Sequence, residues 1–269
     1  MARAVVLTST SLRHRFLVHA LASRLDVVGV WQETKRFAPL ELPGSDEDRA
    51  SIASHFHARD LSEREYFGEH DTLRLSPAAI RREVGPGGCN EPGEVAAMRS
   101  LAPDVVLVFG TEILRDEVIA SFRGNLINLH LGLSPYYRGS GTNFWPLVNR
   151  EPEYVGATIH YLDAGIDSGP IIAHVRPEMR AADGPHDVGN RAIVAAAALL
   201  AQTASAHAQQ PLPAVPQGGG GRLYLRRHFT ADAVRLCYRN LSDGMIGEYL
   251  AHRAARDAAL TLAPAPAPA

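Results

Sequence analysis

The chain has 269 residues, 46% hydrophobic and 21% charged, which is enough to build a buried core and excludes intrinsic disorder over most of its length. Twenty-seven basic and twenty-nine acidic side chains leave a net charge of −2, so overall charge draws the chain neither to nucleic acid nor to an anionic membrane. No apolar run approaches the roughly 20 residues that span a bilayer, and Met1-Ala2-Arg3-Ala4-Val5-Val6-Leu7 turns polar too soon for a signal peptide. A cytoplasmic protein with no membrane partner is expected. Cys89 and Cys237 lie far apart and outside any ligand spacing, against a disulfide framework or structural zinc. Lys35 is the only lysine, so lysine chemistry is not expected.

Val5-Val6-Leu7 reads as a short buried strand. The polar turn Thr8-Ser9-Thr10-Ser11 follows, with Ser11 as N-cap of a helix carrying Leu12, Phe16, Ala20 and Leu21 on one face. Val27-Val28-Gly29-Val30-Trp31 is a second strand, so the chain opens with a β-α-β unit and a parallel sheet. Residues 32–100 alternate charged and turn-rich pieces, with a helix predicted over Ser45 to Glu65 and a turn at Gly85-Pro86-Gly87-Gly88. Asp104 to Phe109 is a strand, Ile113 to Phe122 a helix burying Ile113, Leu114, Val118 and Ile119, and Leu126 to Leu129 a strand, a second β-α-β unit. Thr158 to Leu162 and Gly169 to Ala173 are strands around an Asp/Gly turn. Val188 to Ala208 is a long Ala-rich helix. The expected fold is α/β, a Rossmann-like, mostly parallel sheet flanked by helices over residues 1–209. A Pro/Gly linker at 210–221 leads to a small helical extension, 222–262, with an edge strand at Arg222 to Leu225 and helices between Ala231 and Arg256. Residues 263–269, Ala-Pro repeats, are expected to be a disordered, solvated tail. No internal repeat is present.

The densest chemistry is Asn128-Leu129-His130-Leu131-Gly132-Leu133-Ser134-Pro135-Tyr136-Tyr137-Arg138-Gly139. Alternation puts Asn128 and His130 on one face of a strand, roughly 6 to 7 Å apart, where an amide and an imidazole suit an oxyanion. The turn after His130 supplies a strand's carboxyl end, where open α/β sheets place their sites. A second turn offers Asp163 and Asp167, either of which suits a base. Each of these also has a plain structural use, since buried Asn and Asp often only satisfy turn backbone groups. His55 and His57 suggest a metal pair, but no third ligand has matching spacing.

Taken together, Asn128-X-His130, the Ser134-Pro135-X-X-Arg138-Gly139 loop and Gly156-X-Thr158-X-His160, followed seven residues later by Asp167 in Asp-Ser-Gly-Pro-Ile-Ile, resemble the folate-dependent formyltransferase family. That family includes glycinamide ribonucleotide and methionyl-tRNA formyltransferases, sugar-nucleotide N-formyltransferases and formyltetrahydrofolate hydrolase. The resemblance is best over residues 103–173. It implies formyl transfer from 10-formyltetrahydrofolate to the amine of a small molecule, an amino sugar nucleotide or a natural-product amine, with no metal. By position it makes Asn128, His130 and Asp167 the catalytic trio. Asn128 and His130 would stabilise the oxyanion, a preorganised donor being worth about 3 to 4 kcal/mol, and Asp167 would orient His130 and receive the amine proton. It also implies donor binding by Thr111, Glu112, Ile113 and Leu114 and by Asp163, Ala164, Gly165 and Ile166, and substrate-side roles for Ser134, Arg138 and His160.

Thr8-Ser9-Thr10-Ser11 lacks the glycines that cradle phosphate in glycinamide ribonucleotide formyltransferase and the Gly-Thr-Pro turn of the tRNA enzyme. Both acceptors are disfavoured, and no nucleic-acid partner is expected. Leu131-Gly132-Leu133-Ser134-Pro135 replaces the Pro-Ser-Leu-Leu-Pro of better-known members, and His55, His57, Arg59 and Asp60 are candidates for an unusual acceptor pocket. A hydrolase, in which water attacks, and a non-catalytic folate-binding protein are the alternatives. A nicotinamide dehydrogenase is disfavoured because Gly-X-Gly-X-X-Gly is missing after the first strand. Residues from Arg222 pack within the chain or build a homodimer.

Overall fold

The computed structural model describes residues 1–34, 44–218 and 220–267; Lys35 lies outside them. The first half contains β1 (Arg3–Ser9), α1 (Leu12–Ala22), β2 (Asp26–Glu33), α2 (Asp46–Phe67), β3 (Ile80–Val84), α3 (Pro92–Ser100), β4 (Val105–Val108), α4 (Asp116–Ser121) and β5 (Leu126–His130). The second half contains β6 (Tyr137–Gly139), α5 (Trp145–Val148), β7 (Ala157–Tyr161), β8 (Ile171–Val175), α6 (Pro185–His207), β9 (Arg222–Tyr224), α7 (Ala231–Ser242), α8 (Met245–Ala251) and α9 (Arg253–Asp257).

Ala4 and Val6 of β1 join Val105 and Leu107 of β4 in one apolar cluster, while Val5 and Leu7 join Val106 and Val108 in another. Strands apolar on both faces need cover on both. Leu17, Val18 and Leu21 of α1 with Ala196, Ala197 and Leu200 of α6 cover the first face. Val95 and Met98 of α3 with Val118 of α4 cover the second. The sheet order is β3-β2-β1-β4-β5-β7-β8, parallel from β3 to β5 and antiparallel at β5–β7 and β7–β8. The predicted Rossmann-like arrangement is therefore present. None of the described helices is long and apolar enough to cross a membrane.

The helix predicted from Ser45 is α2, held at its start by a reciprocal capping box between Ser45 and Asp48. Two predictions need correction. The helix expected from Ile113 begins only at Asp116, leaving Ile113 72% exposed in a loop, because the main chain of residues 112, 113 and 115 bonds to the side chains of Glu33 and Asn90 instead of to a helix of its own. The Ala-Pro tail is tied down by hydrogen bonds at Ala263 and Pro266, while Pro264, Ala265 and Ala267 stay exposed to solvent. Ala263 O accepts from His174 N (3.0 Å), Ala263 N donates to His174 Nδ1 (2.9 Å), and Gln202 Nε2 donates to Pro266 O (2.6 Å). Val215, in the predicted linker, bridges Ile171. These segments cover the β8 edge, whose unpaired backbone would otherwise stand open.

The extension packs back on its own chain. β9 runs parallel to β6, Tyr224 stacks on Trp145 with centroids 4.3 Å apart, and Cys237, Met245, Ile246 and Tyr249 share one cluster with Tyr137, Trp145 and Leu147. Tyr249 is fully buried and donates to Asp257 (3.0 Å), which pairs with Arg176 (2.8 Å). Replacing Tyr249 by Ala is expected to lower the unfolding free energy by about 3–5 kcal/mol. Chemical denaturation checks this, and a loss below 1 kcal/mol would mean that the extension is not part of the core.

Candidate active site

The chain leaves β3 at one edge and returns as β4 on the other side of β1, so the strand order reverses between β1 and β4. Crevices beyond the carboxyl ends of strands at such a switch point are the binding sites of open α/β sheets. A cavity of about 570 Å³ lies there, lined from the ends of β4 and β5, the first turn of α1, α2, the 162–167 turn and the start of α6.

β5 delivers Asn128 and His130 to this cavity at alternate positions. In the antiparallel register Asn128 faces His160 of β7, and their side chains meet, Asn128 Nδ2 to His160 Nε2 at 3.0 Å. His160 Nδ1 lies 2.8 Å from Tyr161 O. A carbonyl only accepts, so Nδ1 carries the proton, Nε2 accepts from Asn128, and the orientation of the Asn128 amide is set. Burial, only partly offset by the Tyr161 carbonyl, holds the His160 pKa below the ordinary histidine value and keeps this acceptor free at neutral pH. His160, predicted on the substrate side, thus acts on Asn128 from the cavity wall.

His130 Nδ1 lies 3.2 Å from Asp167 Oδ1, and Asp167 Oδ2 accepts from Gly139 N (3.1 Å). Asp167 has a φ of +48°, a left-handed conformation that Asp and Asn tolerate better than most residues. Burial pushes its carboxyl pKa up, but the His130 ring, His160 and the Gly139 N–H outweigh burial and hold it below the usual carboxylate value. Asp163, the other carboxylate of the turn, spends Oδ1 on Gly165 N (3.0 Å) and Ser168 Oγ (2.8 Å). The geometry therefore distinguishes the two: Asp167 faces the histidine and Asp163 shapes the turn.

Thr111, Glu112, Ile113 and Leu114 line one side of the cavity, and Asp163, Gly165 and Ile166 the facing side. Ala164 is not among the lining residues, nor are Ser134 and Arg138. Ser134 is buried in the turn before β6, its N–H donating to Thr158 Oγ1 (2.9 Å) and its carbonyl facing His174 Nε2 (2.8 Å). The Arg138 backbone pairs with Leu223 in the β6–β9 ribbon. Both shape the loop from outside the cavity.

A formyl transferase family model matches residues 69–203, half of the chain and the part that contains Asn128, His130 and Asp167. The chain belongs to the formyltransferase family. Solved structures share its fold: an inferred sugar N-formyltransferase from Mycobacterium tuberculosis (22% identity over 85% of this chain and 77% of that one, TM-score 0.56), a 4-N formyltransferase from Francisella tularensis (14%, 88% and 87%, 0.55) and a phosphoribosylglycinamide formyltransferase from Anaplasma phagocytophilum (17%, 84% and 98%, 0.54).

At the far end of the formyltransferase cavity, α1 and α2, outside that match, meet Phe144 and α6 from within it. Arg13 pairs with buried Glu63, and Arg59 lies 3.8 Å from Glu63 and 2.8 Å from Asp60. His55 and His186 pack at 4.5 Å between ring centroids, beside Phe144. Of the predicted acceptor-side residues, His55 and Arg59 line the cavity, whereas His57 and Asp60 are exposed on the other side of α2. Positions two apart on a helix diverge by about 200°, so His55 and His57 do not converge on a metal. Arg13, Glu63, Phe144, His186 and Asn190 were not foreseen; they meet here from four separate segments, and no local motif announces them.

Burial, with the nearby charge of Arg59, pushes the His55 pKa down to about 3 and that of His186 to about 4. In the unfolded chain both titrate near 6.5, so from there down to about 4 the unfolded state binds more protons, and stability falls as pH falls, by up to about 2.7 kcal/mol per pH unit for two protons. His19, His160, His174 and His207 are displaced in the same direction. Urea unfolding is expected to show a lower midpoint at pH 5 than at pH 7, and His55→Leu to shrink that difference. An unchanged wild-type midpoint would contradict this assignment.

Proposed function

We propose that the chain transfers a formyl group from 10-formyltetrahydrofolate to the amine of a small-molecule acceptor. The observation that carries this reading is the convergence of Asn128, His130 and Asp167 on one wall of the cavity, each already oriented by a neighbour: His160 for Asn128, Asp167 for His130 and Gly139 N for Asp167. Attack of an amine on a formyl carbon places negative charge on the formyl oxygen and positive charge on the nitrogen. Asn128 Nδ2 has a second hydrogen beyond the one given to His160, and it donates to that oxygen; His130, held at Nδ1 by Asp167, joins it when the oxygen takes Nε2 from the Tyr137 carbonyl 3.3 Å away. Asp167, an anion at neutral pH, takes the proton of the attacking amine directly or through one water. The carbon–nitrogen bond to the donor then breaks as the oxyanion collapses, and the proton taken from the amine passes from Asp167 or its water to the donor nitrogen.

The donor end suits a flat heterocycle with amide-like edges. Among the described residues, the N–H groups of Thr111, Ile113 and Leu114 make no hydrogen bond, and the exposed apolar side chains of Ile113 and Ile166 flank the mouth. The acceptor end, with its two arginines and neutral histidine pair, supports a polar small molecule. The test is incubation of the enzyme with 10-formyltetrahydrofolate and a panel of small amines, following both tetrahydrofolate and the formamide product. Formamide formed in step with tetrahydrofolate supports transfer. Formate release without an amine, at a rate no amine increases, would instead make the chain a hydrolase, and donor binding without turnover would make it a non-catalytic folate binder.

A further inference from the structure

The donor-side wall has no regular structure, and side chains from elsewhere hold it. Phe109 N still donates to Leu7 O (2.9 Å) at the end of the sheet. Beyond it, Glu112 N donates to Glu33 Oε2 (2.7 Å), Ile113 O accepts from Asn90 Nδ2 (3.1 Å), and Arg115 N donates to Asn90 Oδ1 (2.7 Å). Both anchors lie outside the cavity. Glu33 ends β2, on the far side of β1 from β4, so its side chain reaches past the end of an intervening strand. Its other oxygen accepts from Cys89 N (3.2 Å), and Asn90 Nδ2 also donates to Gly87 O (3.1 Å). One carboxylate thus ties the 87–90 turn and the 110–115 loop to the end of β2.

Glu33 is 1% exposed and Asn90 6%. A buried carboxylate is a costly way to fill a core position unless hydrogen bonds match it. Here each oxygen faces a backbone N–H, which fixes where two loops stand.

Resting on the folate reading above, we propose that Glu33 and Asn90 are positioning residues for the formyl donor. They hold residues 110–114 in a shape that leaves the N–H groups of Thr111, Ile113 and Leu114 unpaired and available to the donor's heterocycle. Glu33→Gln sets an NH₂ group against one of the two backbone N–H donors. Asn90→Ala removes the bonds to residues 113 and 115 while Glu33 stays intact, and serves as the second variant should the first fail to fold.

Two readouts are needed, one of them independent of any ligand. Exchange of the two anchored amides, Glu112 N–H on Glu33 and Arg115 N–H on Asn90, is expected to quicken roughly tenfold or more in the ligand-free variant that alters the respective anchor. The Kd for 5-formyltetrahydrofolate and the KM for the donor are expected to rise about tenfold to a hundredfold. kcat at saturating donor and the acceptor KM stay near wild type, a split that general destabilisation does not produce. Unchanged exchange and donor affinity in a folded variant, or a fall in kcat with donor KM unchanged, would overturn the proposal. Absence of folate binding by the wild-type protein would overturn the donor assignment itself, while quickened exchange in the variants would still support the anchoring of the loop.

Discussion

Asn128→Asp and Asn128→Ala are both expected to lose about 10²–10³ in kcat, the scale of removing one preorganised oxyanion donor. The register that pairs Asn128 with His160 gives the reason. His160 Nε2 is an unprotonated acceptor, so it engages one amide hydrogen and leaves the other for the reacting oxygen. Aspartate at this position offers only acceptors, to His160 and to the developing charge alike, and is expected to do no better than alanine. The fold should survive either change, because Asn128 is half-buried and turned into the cavity, and a lost neutral hydrogen bond costs only about 1 kcal/mol. Steady-state kinetics with an acceptor from the amine panel, beside a thermal melt, checks both halves. A kcat within threefold of wild type would remove Asn128 from the reaction.

Asp167→Asn is expected to have the larger effect, roughly 10³–10⁴ in kcat, as when the carboxylate behind a catalytic histidine is neutralised in other enzymes. The substitution is clean for a backbone reason. Asparagine accepts the left-handed conformation at φ +48°, and its Oδ1 still receives Gly139 N. What disappears is the anion opposite His130 Nδ1 and the acceptor for the amine proton. Because the folded pKa of Asp167 lies below the ordinary carboxylate value, its stabilising contribution is present above about pH 3.9 and is lost as pH falls through that lower folded pKa. An acid limb in kcat/KM between pH 5 and 7 therefore belongs to another group, and Asp167→Asn should lower the whole profile without moving such a limb. A variant retaining a tenth of wild-type kcat would contradict the proton-acceptor role.

Much of the central sheet was legible because strands buried on both faces write continuous apolar runs, as in Val5-Val6-Leu7 and Val105 to Val108. β3 escaped notice because it is an edge strand whose middle residues, Arg81, Arg82 and Glu83, are exposed, a polar pattern suited to an edge but indistinguishable from a loop by hydropathy. Asn128 and His130 could be placed on one face by alternation alone. The choice between Asp163 and Asp167 depended on which carboxylate its own turn consumes, a matter of backbone conformation that composition does not encode. The acceptor end was least visible, since Arg13, Glu63, His55 and His186 meet only after α1, α2 and α6 pack. Glu33 was hidden for the same reason, its partner Glu112 being 79 residues away. The anchored tail shows the converse limit: an Ala-Pro repeat reads as a free tail until an edge strand stands open beside it.

The most direct test of the central claim is equilibrium titration of the wild-type protein with 5-formyltetrahydrofolate, a stable relative of the donor. One molecule bound per chain with a Kd of about 10 µM or tighter is the expected result. No binding at millimolar ligand by a folded protein would contradict folate as the source of the formyl group and turn attention to other acyl donors for the site formed by Asn128, His130 and Asp167.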